Sequence, residues 1–546
     1  MTTLRPFAPP CRPETGGAAR RVLCAVLAAA LAWAPTAATL AQQNDALRLP
    51  ALGESASDEF NLSAEKRLGE QIMREIRRDP DYLDDPQLLD YLQSVWQPLV
   101  QAAKARGDIG PDTEHLFPYE PFLVRDRSVN AFALPGGYVG VHLALIAMTA
   151  TRDELASVLA HELSHITQRH IARSIVAANR SSTLGLAAIL IGIFAAARAS
   201  NADMANAALA TGQAAVQQTQ LNFSRDMERE ADRNGIAVLS GAGFAPAGMA
   251  AMFEKLDQAN RLNDNGSYPY LRSHPLTSDR IGEARQRIDN LPAGTSDPQP
   301  LLQALMRARA RVLMDSSASA QQRLQDLAQR GDQPELPRAD RLGAMYGAAL
   351  ASLQLRDLPA AERSAARARA LFDSAPSAEA GARRTLARLQ VQLALARGDL
   401  GRAHDALAEA TDDGSRASLL QRAQVSLAEG STAALRDASD ALQVWVAEHR
   451  SDAGAWAQLA LVANRQGQTL RAVRADAEAQ AALGDLRGAI DRMRAGQLIA
   501  QRGGPGTNFI EASVIDARLR DLQTQRRGEL REQRGGGNGR QAPDND

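Results

Sequence analysis

The stretch Thr151-Arg-Asp-Glu-Leu-Ala-Ser-Val-Leu-Ala-His-Glu-Leu-Ser-His165 decides the fold of the first half of this chain. It opens with a capping box, in which a threonine hydroxyl can accept from a backbone N–H and Glu154 can reach back. Apolar residues then recur at helical spacing, which predicts a buried helix. Two histidines four residues apart project from one face of a helix, so His161 and His165 can bind one metal ion with Glu162 beside it as a base.

The ligand types at this motif indicate the metal. Imidazole and carboxylate ligands around an open tetrahedral position suit zinc, and we expect one Zn²⁺ per chain. With eight histidines in 546 residues, a chance His-Glu-x-x-His should occur on the order of once per hundred such chains. The alternative is a pair of surface histidines on a buried helix. A zinc-stabilised inactive domain is a second alternative, but a structural site gains nothing from the base Glu162.

A catalytic zinc needs a third protein ligand, and the residues just after the motif do not supply it. Gln168 and Ile171 stand where the metzincin pattern has glycine and histidine. His170 is one residue away from that position, and helix geometry predicts that it is solvent-facing or structural. No Asp or Glu occurs between Ile166 and Ala202, which excludes a carboxylate ligand soon after the motif.

The first acidic cluster after the motif lies at 224–232, in a predicted helix from about Phe223 to Ser240. Glu228 lies on the small, apolar face that must pack inward, so it is the predicted third ligand. That face also carries Ala231, Gly235 and Leu239. Glu230 lies on a face that looks solvated. Asp232, one turn on, could accept the free ring N–H of a ligating histidine, with a helix-surface ion pair as the alternative.

The composition favours a mainly α protein, because aromatic residues make up 4% of the chain while Ala, Leu, Arg and Gln recur at helical spacing. Strand patterns occur at Phe122-Leu-Val124 and at Gly136–Val141, which predicts a small sheet. We place this domain at 59–290 and end it at a turn-rich linker, 291–300. The formal net charge of −1 gives no sign of a polyanionic partner, so we expect no nucleic acid.

The start of the chain resembles an export signal. Arg20 and Arg21 precede an apolar stretch at 22–34, Pro35 breaks it, and small residues follow to Ala41. We predict a signal peptide over 1–41 and a linker over 42–58. The alternative is an uncleaved anchor, but the apolar stretch falls short of the roughly 20 residues needed to span a bilayer. Both cysteines lie within this segment, so disulfides play no part in the mature chain.

The second half, 301–501, is predicted to be an α-solenoid of helical hairpins. Glycines that follow Ala/Leu-rich helices and precede further helices are Gly398, Gly430 and Gly467. Residues that match the tetratricopeptide spacing of large, apolar, turn and small positions are Trp456, Leu459, Gly467 and Ala472. The hairpins are therefore interpreted as tetratricopeptide-like repeats, with an ordinary helical bundle as the alternative. The tail, 502–546, is predicted to be disordered.

The two metal-site motifs together resemble those of the M48 family of metallopeptidases: His-Glu-x-x-His is followed by Glu-x-x-Ala-Asp, counted from Glu228. Asn130–Val139 is similar to the segment ahead of the family's zinc helix, and His274-Pro-Leu-Thr-Ser-Asp-Arg280-Ile is similar to its late element. The resemblance covers about 59–290 and implies a helical zincin domain of the gluzincin type. The chain departs from the family pattern at Leu134-Pro135 and in the irregular repeats.

The resemblance implies peptide-bond hydrolysis, with Glu162 taking a proton from water and delivering it to the leaving amine. Arg280 or His274 could stabilise the oxyanion if the late loop folds over the zinc. His274 could instead close the open zinc position and hold the enzyme latent. Structural use of the His-Pro turn is a further alternative.

An export signal and tetratricopeptide-like repeats around this domain are similar to the periplasmic branch of the family. That likeness implies a periplasmic location, unfolded or misassembled protein substrates, and partners in outer-membrane protein assembly that dock on the repeats. The Gly136–Val141 strand could pair an extended substrate by β-augmentation. The apolar segment 184–197 could be a core helix, a lid or a peripheral membrane contact. The alternative function is a scaffold or chaperone for outer-membrane protein assembly in which proteolysis is secondary.

Overall fold

The computed structural model describes residues 60–177, 225–262, 268–291, 299–410, 413–503 and 508–535. In these residues the chain is mainly α-helical with a small sheet, as predicted. The predicted signal peptide 1–41, the linker 42–58 and the apolar segment 184–197 lie outside the described residues. Among the described helices, none has the length and apolar character that crossing a bilayer requires.

The sheet has four strands in the spatial order β1-β2-β4-β3. They are β1 Tyr82–Leu83, β2 Glu120–Val124, β3 Ala131–Leu134 and β4 Tyr138–His142. β4 pairs in parallel with β2 and antiparallel with β3, so its backbone is hydrogen-bonded on both sides. The expectation that Gly136–Val141 receives a substrate strand is therefore wrong, because that strand is internal and β3 lies at the edge of the sheet.

Ten helices of the described residues belong to the same half of the chain as this sheet. They are α1 Leu62–Arg78, α2 Pro86–Arg106, α3 Pro111–Leu116, α4 Leu143–Met148, α5 Arg152–Thr167, α6 His170–Ala177, α7 Arg225–Gly241, α8 Ala247–Leu262, α9 Pro269–Ser273 and α10 Ser278–Ile288. Helix α5 carries the His-Glu-x-x-His motif and is buried from Arg152 to Ile166. It packs against α7, α8, α2 and β3. Its Thr151 hydroxyl caps the Glu154 N–H as predicted, while the Glu154 carboxylate accepts from the Ala150 N–H.

The second half is an array in which helices adjacent in the chain pack on one another. Its helices are α11 Pro300–Met314, α12 Ala318–Asp326, α13 Arg338–Gln354, α14 Leu358–Asp373, α15 Ala380–Arg397, α16 Leu400–Ala410, α17 Arg416–Glu429, α18 Thr432–Glu448, α19 Ala453–Arg465, α20 Thr469–Ala482, α21 Leu486–Arg502 and α22 Phe509–Gly535. A short 3₁₀ segment, Leu327–Asp332, follows α12. Gly398, Gly430 and Gly467 have φ angles of 74°, 72° and 72°, which confirms the predicted turns. The tetratricopeptide assignment itself stays a prediction.

The tail predicted as disordered, 502–546, contains helix α22, so that prediction is wrong for Phe509–Gly535. Ile515, Leu519 and Leu522 recur at helical spacing and are buried against α20 and α21. The Gly- and Arg-rich composition of the tail concealed this apolar stripe.

Four helices after the predicted linker, α11, α13, α14 and α15, contribute to the same hydrophobic core as the sheet-bearing half. Leu301 and Leu305 of α11 share a buried cluster with Leu145 and Ile146 of α4. The Gln303 side-chain amide donates to the Thr149 carbonyl oxygen at 3.0 Å. Although the turn-rich stretch at 291–300 marks a change in sequence pattern, it does not separate two cores.

Candidate metal centre

Three separate elements bring the predicted site residues together. Helix α5 supplies His161 and His165, helix α7 supplies Glu228, and His274 directly follows α9. These four side chains are buried, and each offers one ligand atom within 4.8 Å of those of the other three. The site residues predicted from sequence therefore meet in space, although they are up to 113 residues apart in the chain.

The ligand atoms converge on one point between the helices. The two Nε2 atoms of His161 and His165 are 3.0 Å apart. Each lies 3.5 Å from an oxygen of the Glu228 carboxylate. His274 Nδ1 lies 3.0 Å from Glu228 Oε1 and 3.4 Å from His161 Nε2. Three imidazoles and one carboxylate at such distances form a donor set for a single metal ion.

Helix α7 can place Glu228 here because it lies close to α5. A Cβ added at Gly235 would lie 3.2 Å from the backbone nitrogen of His161, so only glycine allows this approach without displacement. Ala231 and Leu239, predicted to share the inward face of Glu228, are fully buried. The sequence-based placement of Glu228 on the inward face is confirmed.

The carboxylates of Asp232 and Glu228 favour positive charge in the site. Burial alone would lower the pKa of His161, but hydrogen bonds and charges from Asp232 and Glu228 outweigh burial and raise it to about 10. Burial lowers the pKa of His165, which keeps this imidazole neutral as a ligand must be. Burial also opposes ionisation of Glu228, yet the neighbouring His274 and His161 hold its pKa well below the usual range.

Glu162 faces the same point from α5. Its Oε2 accepts a hydrogen bond from the Ala133 N–H of β3 at 3.0 Å. Its Oε1 is buried, accepts no hydrogen bond from the described residues, and lies 3.6 Å from His274 Nε2. Burial raises the pKa of this carboxyl. An oxygen held at the centre without a donor fits a base that acts on a bound molecule.

Asp232 occupies the place predicted for it behind a ligating histidine. Its Oδ1 lies 2.9 Å from His161 Nδ1, on the opposite side of the ring from the cluster. Only 6% of Asp232 is exposed, so the alternative of a surface ion pair is excluded. This contact holds the Nδ1–H tautomer of His161 and leaves Nε2 free to bind the metal.

Arg280 lies behind the cluster instead of over it. Its Nε and Nη2 donate to the two oxygens of Asp232 at 2.7 and 2.8 Å. Its Nη1 lies 2.9 Å from Glu228 Oε2 and donates to the Pro275 carbonyl oxygen. The Arg280 guanidinium is engaged by the carboxylates of Asp232 and Glu228, which argues against its predicted role of stabilising the oxyanion. We assign Arg280 the role of a brace for Glu228 and Asp232.

His170 is fully buried, so of its two predicted placements the solvent-facing one is wrong and the structural one remains. The helix of the motif ends at Thr167, and Arg169 has a φ angle of 52°, in the left-handed region. This break turns His170 back toward His165, whose Nδ1 lies 2.9 Å from His170 Nδ1. Glu230, predicted to be solvated, lies 3.1 Å from His170 Nε2. Burial lowers the pKa of His170 to about 4.

The residues around this centre match a known family. Residues 87–288 match the model of peptidase family M48. The chain is 34% identical over 272 residues to the beta-barrel assembly-enhancing protease of Escherichia coli. The matched residues make up 50% of this chain and 53% of that protein. It is 33% identical over 309 residues to the protein of the same name in Yersinia pestis, which is 56% of this chain and 60% of that protein.

A more distant relative is a mitochondrial metalloendopeptidase of Saccharomyces cerevisiae. It is 28% identical over 195 residues, which is 35% of this chain and 53% of the yeast protein. The chain thus spans little more than half the length of these three relatives. The family model ends at residue 288, before the helical array begins.

Proposed function

We propose that this chain, whose residues 87–288 match the model of peptidase family M48, is a zinc-dependent endopeptidase. The observation that carries the proposal is the buried convergence of His161, His165, Glu228 and His274, with the unpartnered oxygen of Glu162 beside it. The donor set suits zinc, with the two motif histidines and Glu228 as protein ligands and one position left for chemistry.

Zinc bound in this centre would supply Lewis acidity to the attacking water and to the scissile carbonyl. The chain's own residues carry the proton. Glu162 Oε1 takes it from the attacking water and delivers it to the leaving amine, while the Ala133 N–H holds Oε2 in place. Burial raises the pKa of Glu162, which strengthens this carboxylate as a base.

The position of His274 favours one of its three predicted roles, closure of the open zinc position. Its Nδ1 points at Glu228 and His161, at the distance of a ligand shared by the same centre. We propose that His274 occupies the fourth position in a latent state, and that peptide binding requires it to withdraw. In that state Glu162 Oε1 lies 3.6 Å from its Nε2.

Strand β3 is the proposed place for an extended substrate. It lies at the edge of the sheet and contacts helix α5. Its Ala133 N–H already points at Glu162, so a peptide added along β3 would pass close to the catalytic base. Backbone pairing reads extended conformation more than sequence, which suits unfolded chains as substrates.

The bacterial relatives, whose name describes a protease that enhances β-barrel assembly, support a proposal for the biological setting. We propose that this chain works in the periplasm on misfolded or stalled outer-membrane proteins, with the helical array docking on their assembly machinery. The competing function is an assembly scaffold or chaperone in which proteolysis is secondary. The array of α11 to α22, about as long as the peptidase half, is the observation that favours it.

One set of variants tests both functions. The purified chain is assayed for bound zinc and for cleavage of an unfolded outer-membrane barrel protein, as wild type, Glu162→Gln and Glu228→Gln. Glu283→Gln, which changes a half-exposed side chain, is the matched control. We expect Glu162→Gln to keep zinc and lose about 10²- to 10⁴-fold in turnover. Glu228→Gln should lose zinc, and Glu283→Gln should behave as wild type.

Two results would contradict the proposal. Wild-type protein that binds no zinc removes the metal centre from the mechanism. Glu162→Gln protein that fully supports barrel assembly in cells makes proteolysis secondary and supports the scaffold.

A further inference from the structure

A buried chain of polar groups leads away from the metal centre behind His165. His165 Nδ1 lies 2.9 Å from His170 Nδ1, and His170 Nε2 lies 3.1 Å from Glu230 Oε2. Arg173 Nη1 donates to the same oxygen of Glu230 at 2.9 Å. The His165 and His170 side chains are fully buried, and Glu230 is 15% exposed. This series of polar groups therefore runs from the metal centre almost to the surface of the protein.

The positions of the protons in this chain follow from the ligand role of His165. Its Nε2 faces His161 and Glu228, so a metal bound there uses the Nε2 lone pair. A neutral imidazole then carries its proton on Nδ1. Two Nδ1 atoms 2.9 Å apart form a hydrogen bond only if one donates and the other accepts.

His170 must therefore accept at Nδ1 and carry its own proton on Nε2, where it donates to Glu230. The carboxylate of Glu230 also accepts from Arg173, which holds it in place. In this arrangement both ring nitrogens of His170 have a hydrogen-bond partner, and His165 keeps its Nε2 lone pair for the metal. The opposite arrangement, with the proton of His165 on Nε2, would block metal binding.

We propose that His170 is a positioning residue that sets the tautomer and ring orientation of the metal ligand His165. It acts on His165 as Asp232 acts on His161. In both places an arginine donates to the carboxylate at the far end, Arg173 to Glu230 and Arg280 to Asp232. Behind His161 the hydrogen-bonded series consists of Asp232 and Arg280. Behind His165 it has one more imidazole, that of His170, before Glu230 and Arg173. The inference rests on the metal centre of the proposed function.

The local backbone is built to hold His170 in this place. Arg169 adopts its left-handed conformation between two helices. Its Nε donates to Glu65 at 3.0 Å, and its Nη2 donates to the Phe60 carbonyl oxygen at 2.7 Å. These bonds to the segment around the start of α1 fix the turn that points His170 at His165.

The test uses the full chain with His170→Phe, His170→Gln, Glu230→Gln and the double variant His170→Phe/Glu230→Gln. His404→Phe, on the exposed surface of the array, is the matched control. Metal affinity is measured by competition with a chromophoric chelator for Zn²⁺, ligand geometry by the visible spectrum of the Co²⁺-loaded protein, and stability by thermal unfolding of the metal-free protein.

We expect His170→Phe to weaken metal binding about 10- to 100-fold and to alter the Co²⁺ spectrum, as loss of an outer hydrogen-bond partner does. His170→Gln should recover most of the loss, because one amide offers both an acceptor for His165 and a donor for Glu230. The double variant should bind no more weakly than His170→Phe, because Glu230 acts on the metal only through His170.

A purely structural role for His170 gives a different result. In that case His170→Phe lowers the unfolding temperature of the metal-free protein but leaves the metal affinity and the Co²⁺ spectrum as in wild type, which overturns the inference. Additive losses in the double variant also overturn it. If His170→Phe does not fold, His170→Gln and Glu230→Gln carry the comparison. Wild-type protein without affinity for metal would instead refute the proposed function.

Discussion

Arg309 of α11 and Asp85, the N-cap of α2, form a buried ion pair that joins the helical array to the sheet-bearing half. Arg309 Nε and Nη2 donate to the two oxygens of Asp85 at 2.7 and 2.6 Å. The residues are 5% and 7% exposed. Arg309 Nη1 also donates to the Tyr346 hydroxyl, and Asp85 accepts from the Leu88 N–H. We predict that Arg309→Met destabilises the whole chain and not only the array.

The magnitude follows from what each variant leaves buried. Removing one partner of a buried ion pair costs about 3–5 kcal/mol, because the other charge stays without compensation. In Arg309→Met, Asp85 keeps its bond from the Leu88 N–H, and the helix N-terminus favours its charge by about 0.3–1 kcal/mol. The expected loss is therefore near the lower end, about 3 kcal/mol.

The double variant Arg309→Met/Asp85→Asn isolates the charge. Asparagine caps a helix about as well as aspartate, and an apolar residue in place of a buried ion is often neutral. We expect the double variant to lie within about 1 kcal/mol of wild type. The control is Arg307→Met on the same helix, whose ion pair with the half-exposed Asp340 is worth about 0–1 kcal/mol.

The assay is urea unfolding of the full chain, followed by far-UV circular dichroism and by release of bound metal to a chelator. Because α11 shares its core with the sheet-bearing half, the circular dichroism and the metal release should report the same change in the free energy of unfolding. The reasoning is refuted if Arg309→Met loses less than about 1 kcal/mol. It is also refuted if the double variant is as unstable as the single one, or if the metal signal stays at its wild-type midpoint.

Two further predictions concern the metal centre and a turn of the array. Asp232→Asn should weaken metal binding about 10- to 100-fold in chelator competition. The control is Asp226→Asn, whose side chain is 95% exposed on the same helix and which should leave the metal affinity unchanged. Equal affinities in the two variants would contradict the role given to Asp232. Gly398→Ala should cost about 1–2 kcal/mol in urea unfolding, because its φ angle of 74° disfavours any side chain. Gly401→Ala, in helical backbone three residues on, should cost nothing, and equal losses would show that the conformation of Gly398 is not what matters.

The metal centre could be predicted closely because its determinants are local. The spacing of His161 and His165 fixes their common helix face, and the apolar face around Glu228 fixes which acidic residue of that helix points inward. Both inferences need only the periodicity of a helix. The structure confirms the buried positions of Glu228 and Asp232 for that reason.

The surroundings of the centre could not be predicted, because they depend on where helices end and on which helices meet. The sequence Thr167-Gln-Arg-His170 contains neither glycine nor proline, so nothing in it signals the left-handed Arg169 that turns His170 inward. The sequence predicts that Arg280 can lie near the metal, and in the structure Arg280 contacts Glu228 of the centre. Its role as a brace depends on contacts with two carboxylates of α7, which spacing alone does not give.

The linker at 291–300 shows why turn composition is a poor guide to domain separation. Turn-forming residues report that the chain changes direction, and they carry no information on what the next helix packs against. Separation requires that the surfaces on both sides be polar, and here they are not. Leu301 and Leu305 of α11 fill the same core as Leu145 and Ile146 of α4, and the Arg309–Asp85 pair is buried beside them. Removing α11 would expose that core and leave Asp85 without its counter-charge, so we expect the sheet-bearing half to depend on α11 for its own fold.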